Sequence, residues 1–346
     1  MTPVTAEPVQ RGTPSVLELP GASPRLQARL AEGLAAVNAL IAARVDSDDP
    51  FIAQAGSHLT AAGGKRFRPL LTLLAAELGD GIDERVVAAA TGVELTHLAS
   101  LYHDDVMDEA DVRRGATSAN AAYGNSTAIL VGDLLFGTAS DIVADLGPQA
   151  VKIQAQTFVR LCSGQNRDDR PCPPGTDPVD YYLGVLADKT GVLIATAARY
   201  GAMFGGCDAA TIETMREFGE LLGVAFQLAD DLIDIASDAS ETGKTPGTDL
   251  REGVDTLAVL RFRAMADPSD PKDARLLELL DGDLSTDDAA LAEALGLLRA
   301  HPALAQAREE TYAVAREAQA LLDPLPDSDA KAALQALAMS VVDRVG

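Results

Sequence analysis

Two aspartate triplets share one spacing. Asp104, Asp105 and Asp108 lie in LYHDDVMDEADVRRG, and Asp230, Asp231 and Asp234 lie in FQLADDLIDIASD. On an α-helix, positions i, i+1 and i+4 project toward one side, with i and i+4 stacked a turn apart. Each triplet therefore predicts a patch of carboxylates that repels itself unless a cation sits on it. Hard oxygen donors favour Mg²⁺ or Ca²⁺, and Mg²⁺ is commonly held by one or two carboxylates together with substrate phosphates. Two such patches facing each other would clamp a magnesium–diphosphate group. The plain alternative is a solvated acidic face in an acid-rich chain. The flanks oppose it: Leu98, Ala99, Leu101, Val106 and Met107 surround the first triplet, and Phe226, Leu228, Ala229, Leu232, Ile233 and Ile235 the second. Charges set beside a core need partners or metals.

Cations are scarce, so their placement is informative. Lys65, Arg66 and Arg68 cluster in GGKRFRP, and Arg113 and Arg114 follow the first acidic triplet. Arg binds phosphate bidentately and Lys supplies a point charge. A basic loop is ordinarily just solvated, but two basic knots in so acidic a chain favour oxyanion binding. His97 lies two turns before Asp104 and Asp105; a lone helical His is more often a packing residue than a ligand. Lys189 and Thr190 precede a strongly apolar run, which points the Lys into a cavity or to its edge.

The elements that must position these groups read as helices. Periodicity of about 3.6 runs through almost the whole chain after residue 24: 25–45, 69–78, 83–108, 125–146, 148–162, 178–204 and 208–237, then shorter Ala/Leu-rich helices from 256 onward. Alternating strand patterns are absent, so the expected fold class is all-α in a single domain. Residues 1–24 are Pro-rich and are expected to be disordered. The loop at 237–256, with Gly243, Pro246, Gly247 and Gly253, follows the second triplet directly and is either a lid or an ordinary connection.

The 346 residues carry 28 Lys and Arg against 52 Asp and Glu, a net charge of −24. That balance opposes nucleic acid and anionic membrane surfaces. No run of about 18 uninterrupted apolar residues suggests a transmembrane helix, and the N-terminus lacks the apolar core of a signal peptide. The three cysteines, Cys162, Cys172 and Cys207, suggest neither a disulfide framework nor a zinc site. Reduced thiols in a cytoplasmic protein fit, with Cys162 and Cys207 expected as inert core residues.

In the order and content of its motifs the chain resembles the trans-isoprenyl diphosphate synthases (polyprenyl synthetases). They are GGKRFRP at 63–69, DDVMD with RRG at 104–115, Gly164-Gln165, Lys189-Thr190, FQLADDLID at 226–234 and GKTPGTDLREG at 243–253. The likeness spans 25–346. It implies a Mg²⁺-dependent enzyme that condenses isopentenyl diphosphate with an allylic diphosphate. Three Mg²⁺ ions would be held by Asp104, Asp105, Asp108, Asp230, Asp231 and Asp234, with Asp105 in support and Asp231 behind the metal or on it through water. Lys65, Arg68, His97 and Arg114 would hold isopentenyl diphosphate; Arg113, Lys189, Thr190, Gln227 and Lys244 would contact the allylic diphosphate. Catalysis would rest on Asp104, Asp105, Asp108, Lys189, Asp230 and Asp231, with no protein general base. The family also implies a homodimer through the central helices.

Product length depends on what fills the space below the first triplet. Ala99, Ser100 and Thr96 are small or modest, where short-product members carry bulky side chains, so a long-chain polyprenyl product is expected. Where the family usually places a Lys, this chain has Val254-Asp255, for which Lys244 and Arg251 are candidate compensations. The rival readings are a class I terpene cyclase, a short-chain (farnesyl or geranylgeranyl) synthase, a silent partner subunit and a non-enzymatic acidic scaffold. The GGKRFRP loop, His97, Arg114 and the second triplet oppose the cyclase.

Overall fold

The coordinates are a computed structural model, and they describe residues 19–236 and 246–345. The chain forms sixteen described α-helices: α1 (Pro24–Val45), α2 (Pro50–Ala61), α3 (Phe67–Ala76), α4 (Glu84–Met107), α5 (Ala119–Tyr123), α6 (Asn125–Asp145), α7 (Pro148–Asp168), α8 (Pro178–Leu186), α9 (Val192–Phe204), α10 (Ala209–Ala236), α11 (Thr248–Arg251), α12 (Leu257–Met265), α13 (Pro271–Leu280), α14 (Asp288–Ala300), α15 (Pro302–Leu321) and α16 (Asp329–Ser340). Their starts follow from sequence. Ser23, Asp49, Asp83 and Asp177 each accept a backbone N–H from the first turn of the next helix, replacing partners that the helix itself cannot supply.

The middle of the bundle is α4, whose Val86, Ala89, Ala90, Val93, Leu95 and Leu98 are all buried. A helix that is apolar nearly all round belongs inside. It packs along α6 and against α3 and α9, while α10 packs on α9 and α15. The large core aromatics keep their polar ends satisfied: the Tyr102 hydroxyl donates to the Ala55 carbonyl at 2.5 Å and that of Tyr200 to the Ala150 carbonyl at 2.6 Å. The all-α expectation holds. Two short strands, β1 (Val112–Arg113) and β2 (Ala116–Thr117), form a small antiparallel hairpin; two residues per strand are too few to leave an alternating pattern.

Other differences from the sequence reading have local causes. α3 begins at Phe67, so Pro69 sits third, still in the first turn where its missing N–H costs nothing. The helix expected over 178–204 is interrupted by a π turn, Ala187–Gly191. Cys162, expected in the core, is exposed on α7, because α7 turns that face outward. Residues 1–18 and 237–245 lie outside the described residues. Leu19 is buried and Ser23 caps α1. By length and composition α6 alone among the described helices could cross a membrane; it packs lengthwise on α4, and its Ile129, Leu130 and Leu134 face outward.

Candidate active site

The first triplet ends α4. Asp105 is fully buried and both of its oxygens are committed: Oδ1 accepts Arg113 Nε at 2.6 Å and Oδ2 accepts the Ala119 N–H at 3.0 Å. It thereby ties the β hairpin and α5 to α4. Arg113 also approaches Asp108 at 3.5 Å. Asp104 is half-buried, and burial pushes its carboxyl up to about 6, against the pull of Lys189 and with the push of Asp108.

The second triplet, near the end of α10, repeats the arrangement. Asp231 is buried; Oδ2 accepts the Tyr182 hydroxyl and Oδ1 accepts Gln227 Nε2 at 2.9 Å. Burial raises it to about 6; the bonds from Tyr182 and Gln227 oppose that, and Asp230 and Asp234 add to it. Asp230 faces Arg344 at 3.1 Å. Asp234 anchors the next segment: its Oδ2 accepts the Asp249 N–H at 3.1 Å and its carbonyl accepts the Gly247 N–H at 2.9 Å. Spacing alone puts the carboxylates of each triplet on one patch of its helix, and the resemblance gives Asp105 a supporting role and Asp231 a place behind the metal or on it through water. The structure commits the middle aspartate of each triplet to protein partners, because position i+1 lies about 100° round the helix from position i.

Both triplets border one space. Glu252 is raised by burial and then by Asp108 from the first triplet and Asp234 from the second. Asp249 is pushed up to about 8 by burial, then by Asp231, Asp234, Glu252 and Asp168. Lys189 stands between: its Nζ bonds Asp168 Oδ2 at 2.6 Å. Burial works against its charge, but Asp168, Asp104 and Asp108 outweigh it and raise its pKa. Thr190 Oγ1 donates to Gln227 Oε1 at 3.2 Å, linking this turn to the second triplet. Asp168, Asp249 and Glu252 were not singled out from sequence; only their places at a helix end and in the GKTPGTDLREG run hinted at them. Lys244 lies outside the described residues.

Opposite this acid-lined space is a cluster of cations. Arg68 Nε is buried without a hydrogen-bond partner. Burial lowers its pKa to about 10, with Glu94 opposing and Arg114 assisting. His97 is held well below its ordinary value by burial, then by Arg68, Arg114, Arg66 and Arg113, so it is neutral near pH 7. Arg114 donates to the Gly63 carbonyl, and burial lowers its pKa while Glu94 opposes. Lys65 is exposed at the rim. Arg66 is different: it donates to Asn38 Oδ1 at 3.1 Å, Glu94 Oε1 at 2.8 Å and the Thr60 carbonyl at 3.3 Å, and so staples α1, α2 and α4. With Glu94 spent on Arg66, the remaining cations repel one another and suit an anion.

The donor set fits magnesium and a diphosphate. The acids are hard oxygen donors, Asp231 is buried against the neutral Tyr182 and Gln227, and buried charge of one sign calls for a metal. No cluster of three or more ligating side chains is gathered for a metal among the described residues.

The chain-length positions differ. Ala99 is buried in the core. Ser100 is only partly buried, lies one turn before Asp104 on the same face, and donates to the His97 carbonyl at 2.8 Å. Thr96 is buried and donates to the Gly92 carbonyl at 2.8 Å. Asp255 is neutralised by Arg263 at 2.9 Å. Arg251 is drawn away to Asp288 at 2.6 Å, so it does not replace the cation missing at 254–255.

A profile of the family described as "Polyprenyl synthetase" matches residues 49–298. The chain is 48% identical over 315 residues to the nonaprenyl diphosphate synthase of Mycobacterium tuberculosis, covering 91% of this chain and 93% of that protein. Among solved structures it resembles a geranylgeranyl pyrophosphate synthase from Corynebacterium glutamicum complexed with calcium and isoprenyl diphosphate. That likeness has TM-score 0.83 and 45% identity, over 94% of this chain and 98% of the other. It also resembles a decaprenyl diphosphate synthase from Rhodobacter capsulatus, at TM-score 0.84 and 35% identity, over 93% and 99%.

Proposed function

Since the chain belongs to the polyprenyl synthetase family, we propose that its two acidic triplets and its basic cluster hold the two substrates of a trans-prenyltransfer, isopentenyl diphosphate and an allylic diphosphate. The observation that carries this is the pairing of an acid-lined space, short of cations, with a cationic cluster short of anions.

Asp104 and Asp108 on one side, and Asp230 and Asp234 on the other, are the carboxylates we assign to Mg²⁺. Asp105 and Asp231 fix the geometry from behind. When bound, Mg²⁺ neutralises charge on the leaving diphosphate, and three ions is the count we assign. Lys189 and Arg113 add fixed positive charge where that diphosphate forms, and Thr190 and Gln227 orient the same wall. Lys65, Arg68, Arg114 and neutral His97 hold the second diphosphate, which keeps the isopentenyl double bond within reach of the allylic carbon. The double bond attacks as the allylic C–O bond breaks. The proton lost afterwards goes to the released diphosphate, which leaves as a base beside the new bond. Walls of α4 and α9 keep water from the cation.

We assign a long-chain product, because the position one turn below Asp104 is the small, partly open Ser100. We place a homodimer contact on the outward apolar face of α6 and α7, where Ile129, Leu130, Leu134, Val151 and Val159 are exposed; such a face on a monomer is otherwise costly. The three free cysteines suit a reducing, cytoplasmic setting.

The test is diphosphate release from an allylic diphosphate, with Mg²⁺, in the presence and absence of isopentenyl diphosphate. Release that requires isopentenyl diphosphate and stops with chelator is expected. Release from the allylic substrate alone, with a cyclised product, would give the site to a cyclase instead.

A further inference from the structure

The π turn Ala187–Gly191 sits between the two acidic triplets. The Val192 N–H bonds the Ala187 carbonyl, five residues back, so the chain carries one extra residue here. That residue matters for direction. Without it, the side chains before the turn would swing by about 100° and shift by about 1.5 Å relative to those after it. With it, Lys189 reaches Asp168 and the field of the first triplet. Thr190 reaches Gln227 on the helix of the second, and Val192, Leu193 and Ile194 still enter the core.

Asp188, inside the turn, faces neither triplet. Its Oδ1 accepts Arg160 Nε at 2.7 Å and its Oδ2 accepts Arg167 Nη1 at 3.1 Å, while Arg160 also holds Glu220 Oε1 at 2.5 Å. The backbone of the turn is gripped as closely. A Cβ placed on Gly164 of α7 would lie 2.5 Å from the Lys189 nitrogen, and one on Gly223 of α10 would lie 2.6 Å from the Gly191 Cα. Only glycine permits either approach.

We propose that Asp188, clamped by Arg160 and Arg167, is a positioning residue that sets the π turn so that Lys189 and Thr190 meet the allylic diphosphate. This rests on the reading of Lys189 and Thr190 given above. The Gly164 contact makes the same assignment from the opposite side: the Gly-Gln pair belongs to the site through its glycine, as the seat of the turn.

The experiment varies each substrate separately in Asp188→Asn and Gly164→Ala. It also measures binding of a non-ionising allylic thiolodiphosphate with Mg²⁺ by calorimetry, and thermal stability. The expected result is a rise of about 10- to 100-fold in KM for the allylic diphosphate and a matching loss of thiolodiphosphate affinity. KM for isopentenyl diphosphate stays unchanged in both variants and the unfolding temperature stays unchanged in Asp188→Asn, while Gly164→Ala unfolds at a lower temperature because its Cβ crowds the backbone of the turn; Asp188→Glu recovers part of the loss. Unchanged kinetics in both variants would overturn the proposal. So would an equal rise in both KM values with a lower unfolding temperature, which would make the clamp general scaffolding. If the wild type bound the thiolodiphosphate but did not elongate the ordinary allylic diphosphate with isopentenyl diphosphate, and Asp188→Asn weakened that binding, the positioning role would stand and the prenyltransfer reading would fall.

Discussion

Ser100→Phe is expected to shorten the product. Ser100 lies four residues before Asp104, which at 1.5 Å per residue puts it about 6 Å below the diphosphate-binding carboxylate. An isoprene repeat has four chain bonds, against the three that span 3.8 Å between consecutive Cα atoms, so it extends roughly 5 Å. A phenyl ring at Ser100 therefore blocks the path within the first few condensations. Thr96, about 12 Å below Asp104, would block it later. The neighbouring Ala99→Phe is the control. Ala99 is 1% exposed in the packed core, and overpacking such a site costs about 1–3 kcal/mol, so that variant should lose stability. The assay is chain-length analysis of dephosphorylated products, paired with urea unfolding. A Ser100→Phe enzyme that folds, turns over and still makes the wild-type product would refute the path along this face of α4.

Four further outcomes follow from the same geometry. Asp104→Asn should abolish turnover while leaving metal-free stability equal or higher, because burial already opposes the Asp104 charge; Asp105→Ala should cost roughly 3–5 kcal/mol in urea unfolding, because it strands Arg113 beside a buried gap. Arg68→Gln should raise KM for isopentenyl diphosphate by about 10- to 100-fold, the worth of one charged hydrogen bond, with little change for the allylic substrate in steady-state assays. Metal-free stability should fall as pH rises from about 4 to 8. Asp231 is raised from 3.8 to about 6, worth about 3 kcal/mol at about 1.4 kcal/mol per pH unit, and Asp249 extends the loss to about pH 8. A native state that holds protons more tightly than the unfolded chain loses stability as they leave. Unfolding in chelator across that range should therefore slope downward, and Asp249→Asn should flatten its upper part; a flat wild-type profile would contradict the buried-acid reading.

Much of the site was legible because helical spacing is regular. The DDVMD and DDLID triplets, the GGKRFRP loop and Lys189-Thr190 each declare which residues share a face, and Lys189, Thr190, Asp249 and Glu252 link the two triplets; Lys244 lies outside the described residues. What spacing could not show is division of labour within a motif. Asp105 and Asp231 look equivalent to their neighbours until α5, the β hairpin and α8 supply their partners. Arg66 looks like Arg68 until Glu94 claims it. The π turn leaves no mark in periodicity, since one extra residue inside a 27-residue apolar helical pattern is within its normal scatter. Arg344, near the chain end, meets Asp230 only through tertiary packing. Cys162 carried an apolar context that described its sequence neighbours and not its face.

The most direct measurement is incubation of the purified protein with Mg²⁺, radiolabelled isopentenyl diphosphate and an allylic primer, with products sized after dephosphorylation. A ladder that ends in one long polyprenol is the expected result. Primer consumed with no label incorporated would contradict prenyl elongation at this site.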